Sequence, residues 1–556
     1  MKPAADLNGI NLEIIWSRLI SIVDEAATAL RRTAFSTIVR ESNDFGVVLL
    51  DADGAGIAEN TIGVPSFLGL LPRAVAALLQ QIPKEQWGEN DCIITNDPWM
   101  GAGHLPDLVM AAPIFYLGNL VGFSATVAHL PDVGGTVFSA DCRDLYEEGV
   151  RILPTKFIKS GCENEDVARF IRGNVRMPDQ VIRDIYAQVA AHSVVGKGVG
   201  EFLKSSGLQD LRGISVALHE RADTAMRRAI AALPDGEYRS VVKSDGYDDI
   251  ETEIHCCISI EGSNLSVDYA GTSDQVSRGL NSVFNYTYAY TVYPLKCALD
   301  PLTPHNDGAH RAVQISAPLG SILNPRFPAP CNARHLTGQL LAGAIYKCLA
   351  QVVPEKVVAE SGSAPSLRAV FSGVDRTGHR FSQILMCSGG MGASAQGDGH
   401  STTPFPTNTG SGSIEAFEGL APLLVRRREL IPNSGGDGKY RGGLGQELEV
   451  EIMSSSPVSV SLMCDRVVHP AQGLFGGQPG QPVSVSLSDG RTLHPKARTD
   501  LHPGDRLVLR YAGGGGFGDP RERRKEDILR DRESGYSSRT SCAPTSVGGS
   551  ETRKRA

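Results

Sequence analysis

Apolar residues return every three or four positions across residues 12–34: Leu12, Ile15, Trp16, Leu19, Val23, Ala26 and Leu30, with Arg18, Asp24, Glu25 and Arg31 falling largely between them. That period predicts an amphipathic helix, with Asn11 placed to cap it. Residues 47–50 are a short apolar strand ended by Asp51-Ala52-Asp53-Gly54, residues 70–81 a second helix, and residues 92–95 a strand broken by Asn96-Asp97-Pro98. Two apolar runs, 108–115 and 120–129, flank Leu117-Gly118-Asn119, the signature of a hairpin. Residues 166–190 and 213–233 read as helices, 237–268 alternates like antiparallel strands, and 336–352 is a helix rich in small residues. From residue 423 onward the chain turns β-like, with strands at 446–453, 458–463, 483–487 and 506–510 between glycine turns. Beyond Arg521 it is charged, then rich in Ser, Thr and Gly, with no hydrophobic period, which predicts a disordered tail.

These elements predict an α+β fold: a mixed multi-domain architecture with antiparallel sheets, flanking helices and a β-rich C-terminal domain. At 556 residues the chain exceeds what one hydrophobic core serves. The breaks divide it into 1–235, which carries the candidate chemistry, a central α+β region 236–420, a β-rich region 421–520 and the tail 521–556. The 61 glycines and 32 prolines fall in short runs, as tight turns require. A net charge of −8 argues against a nucleic-acid partner. Eleven cysteines without a CxxC pair, behind an amino-terminal sequence unlike a signal peptide, imply reduced thiols and a cytoplasmic protein. No segment approaches 18 uninterrupted apolar residues, so no membrane span is expected. Neither Gly389-Gly390-Met391-Gly392 nor Gly513 to Gly516 is followed by Lys-Ser/Thr, and no dinucleotide fingerprint or serine elbow occurs. A nucleotide site within this chain is therefore not expected.

The candidate chemistry lies at the ends of the hairpin. His104-Leu-Pro-Asp107 and His129-Leu-Pro-Asp132 each place a histidine and an aspartate three residues apart, with proline stiffening the backbone between them. A turn centred on Gly118 pairs Asp107 with His129 and His104 with Asp132, bringing both motifs to one end of the hairpin. Two imidazoles and one or more carboxylates suit Zn, Mn or Fe better than Mg or Ca, and an open position could hold a water activated at neutral pH. The plainer alternative makes these histidines loop residues hydrogen-bonded to the carboxylates. Glu148, in Glu147-Glu148-Gly149-Val150-Arg151, could supply an acid/base carboxylate or support the centre from behind, or be a solvated charge. The polar loop Asn306, Asp307, Gly308, His310 and Arg311 fits either a pocket lining or a structural turn.

These residues resemble the hydantoinase B/oxoprolinase family. The resemblance rests on Asn96-Asp97-Pro98-Trp99 running into His104-Leu-Pro-Asp107, on Ala128-His129-Leu-Pro-Asp132-Val-Gly-Gly135, and on Glu148-Gly149-Val150-Arg151-Ile152. It continues through Tyr293-Pro-Leu-Lys296, Pro304-His-Asn306-Asp-Gly308, Asn324-Pro325, Arg334, Asn433 to Gly445 and Gly513 to Pro520, spanning about residues 12–530. The family includes the B-type chains of N-methylhydantoinase and caprolactamase, with relatives in the acetone and acetophenone carboxylases. The resemblance implies a B-type subunit of an ATP-dependent cyclic amidase, in a hetero-oligomer. A partner A-type subunit, carrying ATP and Mg, would phosphorylate a small carbonyl or lactam substrate, and water on one divalent transition metal would attack it here. It also implies metal ligands Asp44, His104, Asp107 and His129; only the resemblance nominates Asp44, in Arg40-Glu41-Ser42-Asn43-Asp44-Phe45. Asp132 then becomes an orienting residue, grouped with Glu148 on the catalytic side. The alternatives are the α-type subunit of an acetone-type carboxylase, with the metal stabilising an enolate, and a non-catalytic assembly subunit. Two departures stand out: Phe67-Leu68-Gly69 where many lactam-hydrolysing relatives have His-Leu-Gly, and a divergent sequence after Asp531.

Overall fold

The predicted hairpin lies at the centre of a seven-stranded antiparallel sheet in the computed structural model, which describes residues 9–375 and 377–538. The strands are β1 (Phe45–Asp51), β2 (Gly56–Glu59), β3 (Cys92–Thr95), β4 (Asp107–Tyr116), β5 (Asn119–His129), β6 (Thr155–Lys159) and β7 (Cys162–Glu163), in the spatial order β2-β1-β5-β4-β3-β6-β7. Both faces of β4 and β5 are covered, which explains why their sequences are apolar throughout instead of alternating. Val109, Ala111, Phe123, Ala125 and Val127 pack with α3 (Pro65–Gln81), while Leu108, Met110 and Ala112 pack with Ile182 and Ile185 on the opposite face.

The register that joins the two His/Asp motifs depends on one extra residue. Leu117 and Gly118, both with positive φ, form a two-residue turn, so Tyr116 faces Asn119. Ile114 pairs with Gly122 but Phe115 with Leu120, leaving Val121 as a bulge on β5. That bulge advances β5 by one position and sets Asp107 opposite His129, as predicted. Deleting Val121 is expected to slip β5 by one residue and take His129 off Asp107, with loss of bound metal measurable by elemental analysis; a deletion variant that folds and keeps its metal would contradict this.

The amino-terminal helix α1 (Gly9–Thr33) buries Leu12, Trp16, Leu19, Val23, Ala26 and Leu30 and packs against α6 (Pro178–Ser206). A short α2 (Thr37–Arg40) leads into β1, and α4 (Leu145–Glu148) follows β5. The single helix expected over 166–190 is two, α5 (Glu165–Asn174) and α6. Proline lacks the N–H that a helix interior needs, and Pro178 starts a new helix as its first residue. Then come α7 (Arg212–Ala231) and α8 (Phe284–Leu299); α8 lies outside the expected elements because its aromatic and polar residues carry little amphipathic signal and Pro294 sits inside it. The helix expected at 336–352 is likewise divided into α9 (His335–Gly338) and α10 (Leu341–Leu349).

The strands expected over 237–268 are β8 (Gly236–Tyr247), β9 (Ile250–Glu261) and β10 (Asn264–Asp268), and β11 (Val313–Ser316) joins β10 in parallel. The last eight strands are β12 (Arg368–Val374), β13 (Arg380–Met386), β14 (Leu423–Leu430), β15 (Gln446–Ile452), β16 (Val458–Met463), β17 (Ser484–Leu487), β18 (Arg498–Leu501) and β19 (Arg506–Arg510), with α11 (Ile414–Leu420) before β14. They form two four-stranded sheets, ordered β13-β12-β16-β18 and β14-β15-β19-β17. One sheet therefore spans the expected division at residue 420. The late glycines do more than turn the chain. The N–H groups of Gly513, Gly514, Gly515 and Gly516 donate to the carbonyls of Gln481, Gly443, Glu360 and Gln478, and a Cβ on any of the four would strike neighbouring backbone. They are a backbone-on-backbone packing device.

The expected disordered tail is corrected over its first part. Lys525–Glu533 is a helix, α12, and it is held by charge. Arg523 donates to Asp398 at 2.7 and 2.9 Å and to Asp531 at 2.6 Å, and Arg441 donates to Asp531 at 3.3 Å. Residues 539–556, most of the remaining tail, lie outside the described residues. No helix among the described residues is long and apolar enough to cross a membrane.

Candidate metal centre

Asp107, the first residue of β4, is fully buried, so both carboxylate oxygens need partners. His129 Nδ1 and His104 Nε2 lie 2.8 and 2.9 Å from Oδ1, and Arg334 Nη2 donates to Oδ2. The loop carrying His104 is shaped to admit that arginine. Gly103 has φ +96°, and a Cβ there would stand 2.6 Å from Arg334 Nε. Arg334 also donates from Nε to the Ala102 carbonyl at 2.7 Å and lies 3.8 Å from the centre of the Tyr286 ring. Gly103→Ala is therefore expected to displace Arg334 and lower metal affinity about ten- to a hundredfold, as loss of a supporting contact does. A calorimetric metal titration matching wild type would refute that.

The protonation states suit a cation. Burial alone would raise the Asp107 carboxyl, but the Arg334 guanidinium against it opposes this, and the carboxyl is held well below its ordinary range. Burial, reinforced by Arg334, pushes His104 down to about 3, so this imidazole is neutral. Its Nδ1–H donates to the Asn332 carbonyl at 2.7 Å, which leaves Nε2 a bare lone pair. Nε2 is buried without a hydrogen bond although a carboxylate oxygen lies 2.9 Å away. Two facing lone pairs repel unless a cation lies between them. The nitrogen and oxygen donors fit a Zn-, Mn- or Fe-class ion, and ligand atoms of the three residues lie within 4.8 Å of one another.

Asp44 stands outside that set of three, although its backbone carbonyl accepts from His129 N–H at 3.1 Å. It is buried beside the centre, and burial raises its carboxyl against the opposing charges of His129 and Arg368. Glu148 is fully buried at the end of α4, whose first turn is capped by Asp144. Its Oε1 accepts from the N–H groups of Cys331 and Asn332 at 2.5 and 2.8 Å, yet burial pushes its pKa up to about 8. Asp132 does not face His104, because the β4–β5 ladder stops at Asp107 and His129. Its carboxylate is taken by Arg176, with Nη1 at 2.6 Å and the backbone N–H, and by Gly134 N–H at 3.1 Å. The expected pairing of His104 with Asp132 is therefore absent. Asp132 nevertheless lines the same small cavity as His129, Phe138, Glu148, Asn332 and Val370.

Several supporting residues were beyond the sequence reading. Asn332 contacts both sides of the site, its N–H holding Glu148 and its carbonyl orienting His104. Asn96, read as a strand breaker, donates to the Leu105 and Val150 carbonyls at 2.9 and 2.8 Å, joining the His104 loop to the segment after Glu148. Phe138 touches the rings of both His104 and His129, with centroids 5.4 Å away in each case. The polar loop at 306–311 belongs elsewhere: His305 contacts Glu59 at 2.6 Å and His310 at 2.6 Å beside α8.

The hydantoinase B/oxoprolinase family model matches residues 8–520, and the chain belongs to that family. It is 32% identical over 556 residues to the B-type chain of a putative D-/L-hydantoinase from Pseudomonas sp. (strain NS671), covering 95% of this chain and 93% of that one. The crystal structure of ATP-dependent caprolactamase from Pseudomonas jessenii matches with a TM-score of 0.88 at 27% identity, over 96% of this chain and 94% of that one. Nucleotide-free acetone carboxylase shares the fold, with a TM-score of 0.87 at 19% identity over 96% of this chain and 79% of that one.

Proposed function

We propose that this chain is the B-type subunit of an ATP-dependent cyclic amidase. It would hydrolyse a lactam or hydantoin whose carbonyl oxygen is phosphorylated on a partner A-type subunit carrying ATP and Mg. The observation that carries this reading is the buried His104–Asp107–His129 cluster, with a bare Nε2 lone pair against an ionised carboxylate. The hydantoinase and caprolactamase relatives support the substrate class. The ten thiols of the described residues are free, which fits a cytoplasmic location.

His104, Asp107 and His129, with Asp44 beside them, would hold one Zn, Mn or Fe ion. When bound, that ion would polarise the carbonyl and make water a nucleophile near pH 7. The remaining roles belong to the side chains. Arg334 fixes the Asp107 carboxylate, and the Asn332 carbonyl fixes the His104 tautomer. Glu148, protonated at neutral pH and lining the same cavity, is placed to give its proton to the departing ring nitrogen. Since Oε1 is held by two N–H groups, the mobile proton sits on Oε2. Asp132 and Arg176 hold the far wall of the cavity, and Phe138 and Val370 make part of it apolar.

Phosphorylation explains the coupling to ATP, because the phosphate ester of an imidic acid is a far better electrophile than the amide. The test is to co-purify the chain with its A-type partner and measure phosphate release against a panel of lactams and hydantoins, with and without bicarbonate. Release that requires the substrate but not bicarbonate is expected. Release that requires bicarbonate would replace the hydrolase by a carbonyl carboxylase, and an inert complex that merely assembles would overturn both enzyme readings.

A further inference from the structure

Arg368, the first residue of β12, is only 6% exposed, its Nε is enclosed without a hydrogen bond, and its side chain makes no ion pair among the described residues. A buried guanidinium is ordinarily paired; this one feels the charge of the buried Asp44 carboxyl but forms no ion pair with it. His335 is fully buried, and neither ring nitrogen has a hydrogen-bond partner. Both residues meet the candidate metal centre across one side chain. The Phe138 ring centroid lies 5.4 Å from those of His104 and His129, 5.9 Å from that of His335 and 5.6 Å from Arg368 Cζ. Val370, two residues further along β12 and so on the same face as Arg368, lines the cavity that His129 and Glu148 share.

We propose that Arg368 and His335 form the seat for the phosphoryl group of the activated substrate, beside the His104–Asp107–His129 cluster. This rests on the reading above, in which the substrate arrives phosphorylated. A guanidinium presents a planar fork of donors that matches phosphoryl oxygens, and a neutral imidazole adds one N–H. Arg334, the neighbouring cation, is committed to Asp107 and the Ala102 carbonyl, so Arg368 is the guanidinium left to meet a ligand. A substrate carboxylate shares this oxyanion chemistry, but it is a planar monoanion, whereas the phosphoryl group offers three oxygens and up to two charges.

The test titrates inorganic phosphate, and separately acetate, into the manganese-loaded full chain by calorimetry. Wild type is compared with Arg368→Gln, Arg368→Lys and His335→Asn, with metal content and melting temperature measured for each. Phosphate affinity is expected to fall about tenfold or more in Arg368→Gln and several-fold in His335→Asn, with part of it restored in Arg368→Lys and the metal retained throughout. If Arg368→Gln does not fold, the other two variants decide. Variants that fold, keep the metal and bind phosphate as wild type does would overturn the seat. A wild type that binds no phosphate at millimolar concentration, or binds acetate more tightly, would do the same. None of these outcomes touches ATP-coupled ring opening by the complex, so failure of the seat and failure of the hydrolase reading remain distinguishable.

Discussion

Replacing His104 or His129 with alanine is expected to empty the metal site while leaving the fold in place. Structural zinc binds with ~10–16 kcal/mol over four ligands, so one ligand accounts for on the order of 3 kcal/mol, about a hundredfold in affinity. Neither histidine lies in the core of the sheet; His129 ends β5 and His104 sits in the loop before β4. The hairpin register should therefore survive, and circular dichroism should be unchanged. Elemental analysis of the purified variants against wild type gives the answer. Equal metal content in all three would remove the centre. Asp44→Asn distinguishes a fourth ligand from a bystander, because loss of metal comparable to that in the histidine variants is expected only of a ligand.

Glu148→Gln is expected to keep the metal and lose turnover by about 10²–10⁴-fold, the usual contribution of a positioned acid or base. The same substitution has a stability signature. A glutamate with an unfolded pKa of ~4.3 and a folded pKa of about 8 binds its proton more tightly in the native state. Between those values the native state holds more protons than the unfolded one, so stability falls as pH rises, by on the order of 1 kcal/mol per unit. Glutamine removes that slope and still accepts the Cys331 and Asn332 N–H groups. The variant should gain melting temperature relative to wild type between pH 5 and 8, while its turnover loses the titration near pH 8. Parallel melting curves across that range would show Glu148 to be an ordinary exposed-type carboxylate, and loss of metal would make it a ligand.

The metal cluster was legible because strands convert spacing into position. Asp107 lies nine residues before Tyr116 and His129 ten after Asn119, and the single bulge at Val121 takes up the difference. His104 follows through a three-residue loop. Asp44 carried no such signal, since β1 reaches β5 only through long-range pairing, from Phe45 with Ala128 to Asp51 with Gly122. Arg334, Asn332, His335 and Arg368 lie more than 200 residues from His104, where periodicity has nothing to say. The opposition of His104 to Asp132 failed because proline-containing loops replace the ladder beyond Asp107 and His129, and Arg176, freed by the break between α5 and α6, takes the carboxylate. Helix α12 escaped notice for a different reason. Its anchors are the ion pairs of Arg523 with Asp398 and of Arg441 and Arg523 with Asp531, which leave no hydrophobic period. The glycine-rich segments read as turns because composition cannot distinguish a turn from backbone packed on backbone.

The most direct test of the proposed division of labour is ring-opened product per ATP consumed, measured in the complex with Asp107→Asn in place of wild type. With wild type, one ring-opened molecule per ATP is expected, without bicarbonate. With Asp107→Asn, the partner should still phosphorylate the substrate in a first turnover, but the ring should stay closed. Ring opening at the wild-type rate by the Asp107→Asn complex would place the hydrolytic chemistry somewhere other than this centre.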